Sequence, residues 1–403
     1  MHVVFVAPFL MDATLRFVRA AAALPGVTLS LASQDPAAKL PADLSARLAG
    51  YHQLGNAFDP AALVEAAASL GRRIAPVERL IGSLEQLQEP LAVACAELRL
   101  PALGVEAARN FRDKARMKDV LRAHGLPCAR HCLATSAEAA REFIAARGFP
   151  VVAKPPAGAG AAATHRLDTP AMLAQYLARY SPRTGAPVLI EEFLSGTEQS
   201  FDSISIEGRL VWWSVSRYSP SPLTVLENPW IQWCVLLPRE LDGYEDIRRV
   251  AQAALAALGL VTGMTHMEWF RRPDGSLAIS EVAARPPGAQ FTSLLSYAHN
   301  LDFYAAWARL VIAGRFDVPE RLYAVGAAYV RGQGSGRVRA IHGLDVAQRD
   351  YGALVVEAKL PRVGEVHPAG YEGVGYVILR DRETAVVEAA LERIVSLIRV
   401  ELA

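Results

Sequence analysis

Short apolar runs alternate with helical periodicity over the first hundred residues. Residues 3–7 (Val-Val-Phe-Val-Ala) end at Pro8, as a buried parallel strand does. Asp59-Pro60 is typical of a helix start, with Asp59 as the N-cap. The elements predicted here are strands at 3–7 and 27–32 and helices at 13–24, 60–70 and 89–98. This rhythm predicts a doubly wound α/β domain over residues 1–108.

After Asn110 the pattern changes to hairpins and basic amphipathic helices. An alternating pair flanks Glu207-Gly208, and a second pair flanks the turn Pro273-Asp274-Gly275-Ser276, so both predict β-hairpins. The remaining predicted elements are helices at 111–124, 170–178, 247–258, 302–313 and 382–398 and strands at 151–154 and 188–192. The fold class is therefore α/β with α+β character. We place boundaries near residues 108 and 315, which leaves 316–403 as a small C-terminal α+β lobe.

Composition and charge exclude several classes of protein. The chain has 403 residues, 42 basic against 41 acidic side chains, and 52% hydrophobic residues. A disordered chain is excluded, and a balanced charge argues against nucleic acid or an anionic membrane as a partner. We find no secretory leader, no membrane span and only four scattered cysteines, so we expect a cytoplasmic protein.

Two glutamates stand on the predicted hairpin around Pro273–Ser276. If its strands pair, Glu268 and Glu281 lie near one another, and two carboxylates on apolar strands favour a divalent cation. Arg285 follows four residues after Glu281, and its planar guanidinium suits a carboxylate or phosphate. The alternative is an exposed hairpin with ordinary surface charges.

A lysine and a small-residue loop suggest a phosphate site. Lys154 ends an apolar strand and precedes Pro155-Pro156-Ala157-Gly158-Ala159-Gly160, where backbone N–H groups can approach an anion. Lys114 is a second candidate, and a surface helical lysine is the alternative. Further on, the apolar strand at 188–192 runs into the acidic segment Glu191-Glu192-Phe193-Leu194-Ser195-Gly196-Thr197-Glu198, which suits an adenine edge and ribose hydroxyls.

Taken in order, these segments resemble the ATP-grasp superfamily, in its carboxylate–amine ligase and biotin-carboxylase-like branch. The motifs are Arg112-Asp113-Lys114-x-x-Met117-Lys118, Lys154-Pro155-x-x-Gly158-x-Gly160, Glu191-Glu192-Phe193-Leu194-x-Gly196-x-Glu198 and Glu268…Glu281-x-x-x-Arg285. The resemblance spans about 109–313. It implies a pre-ATP-grasp domain before it, a mobile lid subdomain at about 128–190 within the ATP-grasp domain (109–315), and the C-terminal lobe after it.

The resemblance also implies roles for individual residues. The ligands of ATP would be Lys114, Lys154, Gly158, Gly160, Glu191, Glu192, Phe193, Leu194 and Glu198, with Glu191 reading adenine and Glu198 binding ribose. Glu268 and Glu281 would bind Mg²⁺, or Mn²⁺ in its place. Arg285 would hold the substrate carboxylate or acyl-phosphate. His266 would contact substrate, and a structural histidine is the alternative.

Three departures from common patterns affect the expectations. The dinucleotide-binding motif Gly-x-Gly-x-x-Gly is missing after the first strand, which argues against the hypothesis that the protein is a dehydrogenase. Ala283 stands where the ATP-grasp family often has Asn two residues after the second metal glutamate. Ala161-Ala162-Ala163 stands where the family usually has a serine near the lid glycines. We therefore expect weaker phosphate binding, or altered metal occupancy, than is usual in the family.

The implied reaction has two steps. A carboxylate attacks the γ-phosphorus of ATP to give an acyl-phosphate and ADP, and an amine then attacks the acyl carbon. The expected partners are a small-molecule carboxylate and an amine, such as two amino acids, and related enzymes suggest a homodimer. Two alternatives stay open: a carboxylase-type enzyme that activates bicarbonate, and a nucleotide-binding module with little turnover.

Aromatic residues crowd one stretch of the chain. Trp212, Trp213, Tyr218, Trp230 and Trp233 either line a pocket for an apolar acid or form core on a hairpin.

Overall fold

The computed structural model describes residues 1–157, 164–366 and 370–403. None of the helices in these ranges combines the length and the apolar character needed to cross a bilayer. Gly158 and Gly160, predicted to contact ATP, lie outside the described residues.

The N-terminal domain is a parallel sheet with helices on both faces. Its elements are β1 (His2–Val6), α1 (Asp12–Ala22), β2 (Thr28–Ser33), α2 (Ala42–Ser45), β3 (Gly50–Gln53), α3 (Pro60–Arg73), β4 (Val77–Ile81) and α4 (Gln88–Leu98). The strand order is β3-β2-β1-β4. Phe5 belongs to one apolar cluster with Leu15 of α1, and Val4 belongs to another with Leu63 of α3. The predicted doubly wound arrangement is confirmed, as is the Asp59 cap, which accepts the Ala61 N–H at 3.0 Å.

The single helix predicted over 111–124 is wrong. Two helices, α5 (Val105–Arg112) and α6 (Lys114–Ala123), meet at Asp113, whose backbone is extended. The Asp113 carboxylate accepts the N–H groups of Ala115 and Arg116 at 2.9 and 3.0 Å, so it caps α6. The basic amphipathic pattern continues through both helices, so hydrophobic periodicity alone does not indicate the boundary at Asp113.

A second, antiparallel sheet stands at the position predicted for the lid. Its elements are β5 (His131–Ala134), α7 (Ala137–Arg147), β6 (Val151–Lys154), β7 (His165–Leu167), α8 (Pro170–Tyr180) and β8 (Val188–Glu192). The strand order is β5-β8-β6-β7, so the strand ends that carry Lys154 and Glu191 are neighbours.

The largest sheet has eight strands and runs through the rest of the chain. Its first part contains β9 (Thr197–Ile206), β10 (Arg209–Ser219), α9 (Pro222–Glu227), β11 (Trp233–Leu237), α10 (Glu245–Leu258), β12 (Gly263–Arg271), β13 (Leu277–Ala283), α11 (Phe291–His299) and α12 (Phe303–Ala313). The C-terminal segment then contains β14 (Ala324–Val330), β15 (Gly332–Gln333), β16 (Val338–His342), α13 (Leu344–Tyr351), β17 (Val355–Lys359), β18 (Gly375–Asp381), α14 (Thr384–Leu397) and β19 (Arg399–Leu402), of which β14, β17 and β18 belong to the large sheet. Both predicted hairpins are present.

The large sheet is continuous across residue 315. Its order is β13-β12-β9-β10-β11-β14-β18-β17, so β11 pairs with β14 from the C-terminal segment. The small sheet β15-β19-β16 lies beside it. The C-terminal segment therefore extends the large sheet, and a domain division at 315 stays a prediction.

Candidate active site

One large cavity opens where the three parts of the chain meet. It encloses about 1130 Å³ and is lined by residues of the N-terminal domain, the lid sheet and the large sheet. Of the predicted site residues that the structure describes, all line this cavity: Lys114, Lys154, Glu191, Glu192, Phe193, Leu194, Glu198, His266, Glu268, Glu281 and Arg285. Residues up to 171 positions apart, from Lys114 to Arg285, thus form one candidate site.

Glu268 and Glu281 are directly opposite each other on β12 and β13. Burial and the charge of Glu281 raise the pKa of Glu268 above its ordinary value. Burial acts the same way on Glu281, but Lys114 and Lys154 outweigh it and lower its pKa. The Lys114 Nζ atom lies 2.8 Å from Glu281 Oε1. The predicted proximity of the two glutamates is therefore correct, and the surface-hairpin alternative does not hold.

The carboxylate pair fits a divalent cation with few protein ligands. Among the described residues, no group of three or more His, Cys, Asp or Glu side chains is arranged to hold a metal. Mg²⁺ commonly uses one or two carboxylates and completes its shell with water and substrate phosphate. Ala283, which is 3% exposed and pairs with His266 across the strands, offers no side-chain ligand there.

Glu191 holds two buried lysines in place. Its Oε1 lies 2.7 Å from Lys118 Nζ and its Oε2 lies 2.9 Å from Lys154 Nζ. Burial opposes its charge, but the two lysines lower the pKa of Glu191 to about 2. Lys118 also donates to the Ser280 carbonyl at 2.7 Å, which ties α6 to β13. Each oxygen of Glu191 thus lies at ion-pair distance from a lysine, and Glu191 also lines the cavity, so its contact with adenine stays a prediction.

The rest of the acidic segment lies along the cavity wall. The Glu192 N–H donates to the Arg130 carbonyl at 2.9 Å, and Glu192 Oε1 lies 3.2 Å from Arg272 Nη2. The Arg166 guanidinium stacks 4.4 Å from the centre of the Phe193 ring. The Glu192 N–H and carboxylate thus have protein partners, and the contact of Glu192 with ATP stays a prediction.

Glu198 lies close to the glutamate pair. It stands opposite Phe270 on β12. Burial and the charge of Glu268 raise the pKa of Glu198 well above its ordinary value. Three carboxylates therefore face the same part of the cavity, opposite the lysines.

Arg285 is held by a carboxylate from the N-terminal domain. Its Nη2 and Nε atoms donate to Glu85 Oε2 at 2.7 and 3.1 Å. Glu85 is 5% exposed and also pairs with Arg112 at 3.2 Å. The guanidinium is thereby oriented at the cavity wall.

His266 is paired with the buried Asp202. Their Nδ1 and Oδ1 atoms are 2.7 Å apart, and Nε2 lies 3.9 Å from Glu268 Oε1. Burial opposes the imidazolium, but Asp202 outweighs it and raises the pKa of His266. The predicted position on the same strand as Glu268 is correct.

Sequence reasoning missed three supporting residues: Lys118, Glu85 and Asp202. Lys118 belongs to the quoted motif but had no assigned function. Glu85 follows β4, at the carboxyl edge of a parallel sheet where ligand sites concentrate, and that position was the available signal. Asp202 is an acidic residue inside a predicted strand of a hairpin, and an acidic residue that becomes buried usually has a charged partner.

The aromatic stretch divides between core and cavity. Trp212 and Trp233 are buried core, Trp213 stacks on Phe201, and Trp230 is 59% exposed. Tyr218 lines the cavity. Both predicted alternatives therefore apply, to different members of the stretch.

Known proteins were compared with this chain by sequence. No family model matches. A protein of Sinorhizobium fredii, described only as uncharacterized, is 25% identical over 87% of this chain and 71% of its own length. The L-arginine-specific L-amino acid ligase of Bacillus subtilis is 25% identical over 50% of this chain and 49% of its own length. The chain thus matches about half the length of that ligase.

Solved structures match the whole chain. The L-amino acid ligase from Bacillus licheniformis has a TM-score of 0.78 at 18% identity and covers 100% of this chain and 98% of its own. N5-carboxyaminoimidazole ribonucleotide synthetase from Thermotoga maritima has a TM-score of 0.72 at 16% identity, covering 100% and 99%. In sequence the chain is thus similar to amino acid ligases, and it shares its fold with the L-amino acid ligase and the ribonucleotide synthetase, in agreement with the resemblance to the ATP-grasp superfamily.

Proposed function

We propose that this protein is an ATP-dependent ligase that activates a carboxylate as an acyl-phosphate and joins it to an amine, with two amino acids as the substrate class. The carrying observation is the opposition of Lys114 and Lys154 to Glu268 and Glu281 within one cavity. This arrangement suits a nucleotide triphosphate with its divalent cation. The ligase relatives support the choice of reaction.

The first step forms a bond from a carboxylate oxygen to the γ-phosphorus, and the bond from that phosphorus to the β-phosphate oxygen breaks to release ADP. Lys154 and Lys114 neutralise the phosphate oxygens, and Glu191 fixes Lys154 at 2.9 Å. When bound, Mg²⁺ neutralises charge on the phosphates, with Glu268 and Glu281 as its protein ligands.

In the second step the amine attacks the acyl carbon, a C–N bond forms and phosphate leaves. Arg285, oriented by Glu85 at 2.7 Å, holds the acyl-phosphate by charge-assisted hydrogen bonds. His266, oriented by Asp202, contacts the substrate beside Glu268. Catalysis is mainly positioning and charge neutralisation.

Compartment and assembly belong to the same proposal. The free cysteines Cys95, Cys128, Cys132 and Cys234 support a reducing cytoplasm. A homodimer is supported by a structural neighbour described as a biotin carboxylase domain dimer.

Phosphate release tests the proposal. The full chain is incubated with Mg·ATP and either pools of amino acids or bicarbonate, and phosphate is measured by malachite green. We expect release with amino acids and little with bicarbonate alone. Release with bicarbonate alone would favour the carboxylase alternative, and no release despite Mg·ATP binding would favour the nucleotide-binding module.

The metal assignment is tested by Glu281→Gln. This change removes one of two facing carboxylates, so we expect at least a 100-fold fall in kcat, since several kcal/mol of charge stabilisation depend on the cation. Glu97→Gln, on the exposed face of α4, is the matched control and retains activity. Unchanged kcat in Glu281→Gln would remove Glu281 from the metal site.

A further inference from the structure

One end of the cavity has apolar walls that none of the proposed catalytic steps uses. Leu223 and Leu226 stand three residues apart on α9, both line the cavity, and both are only half-buried. Val225, between them, is 0% exposed and belongs to the core. The helix α9 therefore turns one apolar face into the core and presents a second one to the cavity.

This apolar end adjoins the proposed reaction centre. Phe291, at the start of α11, packs edge-on against the His266 ring at 5.5 Å and lies 6.1 Å from the Tyr218 ring. Burial, with the charge of Glu268 adding to it, raises the pKa of Tyr218 and of Tyr371. His266 Nε2 in turn lies 3.9 Å from Glu268 Oε1, so the apolar end adjoins the carboxylate pair. A side chain bound here belongs to a substrate whose reacting group lies at the carboxylate pair.

Arg331 joins the two walls of this end. Its Nη1 atom donates to the carbonyls of Val225 at 2.8 Å and Asn228 at 3.2 Å, which close α9. Its Nη2 atom donates to the carbonyls of Gly370 at 3.0 Å and Tyr371 at 3.3 Å. All four acceptors are backbone oxygens of segments at the cavity, and the arginine is 6% exposed.

The segment around Tyr371, which forms one wall of this end of the cavity, is also held by Trp233. Trp233 Nε1 donates to the Tyr371 carbonyl at 3.1 Å, and the two rings lie 4.5 Å apart. A planar guanidinium with five donors can bond two segments at once, whereas lysine offers three donors from one point. The shape of this end is thus set before substrate arrives.

We infer that this end of the cavity binds an apolar amino-acid side chain of the size of leucine, methionine or phenylalanine, and that Arg331 is a positioning residue that fixes its walls. The inference rests on the proposed ligase function and names its substrate class. Burial of an apolar side chain against Leu223, Leu226 and Phe291 is favourable, and a charged or amide side chain would lose its hydration there.

Substrate pairs of matched size test the inference. All pairwise combinations of the common amino acids are assayed for phosphate release, and the peptide is identified by mass spectrometry. We expect kcat/KM for leucine over asparagine, and for methionine over glutamine, to differ by about 100-fold, the range of discrimination by one apolar pocket. Equal or better use of the amides overturns the inference while the ligase function stands. Peptide formation with no pair, despite Mg·ATP binding by calorimetry, overturns the function and the inference with it.

A substitution at Leu226 in the cavity wall provides a second test of the inference. Leu226→Gln is expected to raise KM for the apolar amino acid by about 10-fold and to leave KM for ATP unchanged. Leu133→Gln, at a leucine of β5 that is 39% exposed and away from the cavity lining, is the matched control. Equal KM values in both variants would contradict the assignment of Leu226.

The function of Arg331 needs a readout that a merely structural residue would not change. Arg331→Lys keeps the charge but not the bridging geometry, so we expect KM for the apolar amino acid to rise about 10-fold with KM for ATP unchanged. Arg331→Met removes the charge as well, so we expect it to raise KM for the apolar amino acid further than Arg331→Lys does. Loss of kcat for every substrate together with a lower Tm would show a structural residue and overturn the positioning assignment.

Discussion

At the scale of single residues, the site depends on charges that neutralise one another away from water. Glu191 lies between Lys118 and Lys154 at 2.7 and 2.9 Å, and all three residues are buried. A buried ion triad contributes little net stability, but removal of one partner leaves the others uncompensated. The Glu191 carboxylate thus fixes the position of Lys154, and its removal is expected to destabilise the folded protein.

Glu191→Gln should therefore destabilise the protein. The change leaves two buried lysines without their anion, and we expect a loss of about 3–5 kcal/mol in the free energy of unfolding. Urea denaturation measures it, with Glu97→Gln as a control expected within about 0.5 kcal/mol of the unchanged protein. Equal effects of the two variants would contradict the buried triad.

The same residue gives a pH dependence of known sign. The pKa of Glu191 is lowered from 4.5 to about 2, so its stabilisation is complete above the ordinary value and is lost as pH falls toward 2. Lys118 and Lys154 are the charged groups that face it. Between pH 6 and pH 3 the stability gap between the unchanged protein and Glu191→Gln should narrow by about 2 kcal/mol, since one pKa unit equals about 1.4 kcal/mol. A constant gap would contradict the assignment.

At the scale of elements, helix ends and strand pairing place the charged side chains. The extended backbone at Asp113 starts α6 at Lys114, and the Lys114 N–H donates to the Pro156 carbonyl of the lid at 3.0 Å. The N-cap at Asp113, between α5 and α6, thus sets the direction of α6 and its contact with the lid sheet.

Asp113→Ala should lower stability and also weaken ATP binding. Loss of an N-cap costs about 1 kcal/mol. Ser136→Ala removes the cap of α7, where Ser136 accepts the Ala139 N–H at 3.1 Å, and is the matched control. We expect similar losses of stability in urea and a higher KM for ATP in Asp113→Ala alone. A higher KM in both variants would show that Asp113 acts only through general stability.

Local sequence chemistry predicted the elements better than the contacts between them. The Pro-Asp-Gly-Ser turn and flanking alternation predicted the β12–β13 hairpin, and therefore the facing of Glu268 and Glu281. The contact of Arg285 with Glu85 joins residues 200 positions apart and depends on how two domains pack, which no local pattern records. Glu191 was expected at the nucleotide because its strand matches a motif, and its ion pairs with Lys118 and Lys154 are contacts that the motif alone did not predict.

At the scale of the whole molecule, the cavity exists only because three parts of the chain meet. Arg16 of α1 lies 2.7 Å from Glu357 of β17, and Glu85 of the N-terminal domain holds Arg285 at 2.7 Å. Glu85, which follows β4, thus orients Arg285, which follows β13. The balanced total charge says nothing of this cleft, where lysines and glutamates are concentrated.

Glu85→Gln should impair catalysis from outside the nucleotide site. The change leaves Arg285 and Arg112 without their shared carboxylate, so we expect a fall in kcat/KM for the amino acid larger than any change in KM for ATP. Glu89→Gln is the matched control, because Glu89 pairs with Arg109 at 2.8 Å and both side chains are about 40% exposed. Unchanged kinetics in Glu85→Gln would separate Arg285 from the proposed reaction.

The central claim is that a carboxylate is activated by transfer of the γ-phosphoryl group. The direct measurement uses an amino acid with both carboxylate oxygens replaced by ¹⁸O, in the presence of Mg·ATP and an amine, with mass analysis of the released phosphate. Because phosphorylation places a carboxylate oxygen on phosphorus and amide formation leaves it there, we predict one ¹⁸O in each phosphate and ADP as the nucleotide product. Phosphate free of ¹⁸O while peptide accumulates, or AMP as the product, would contradict the account.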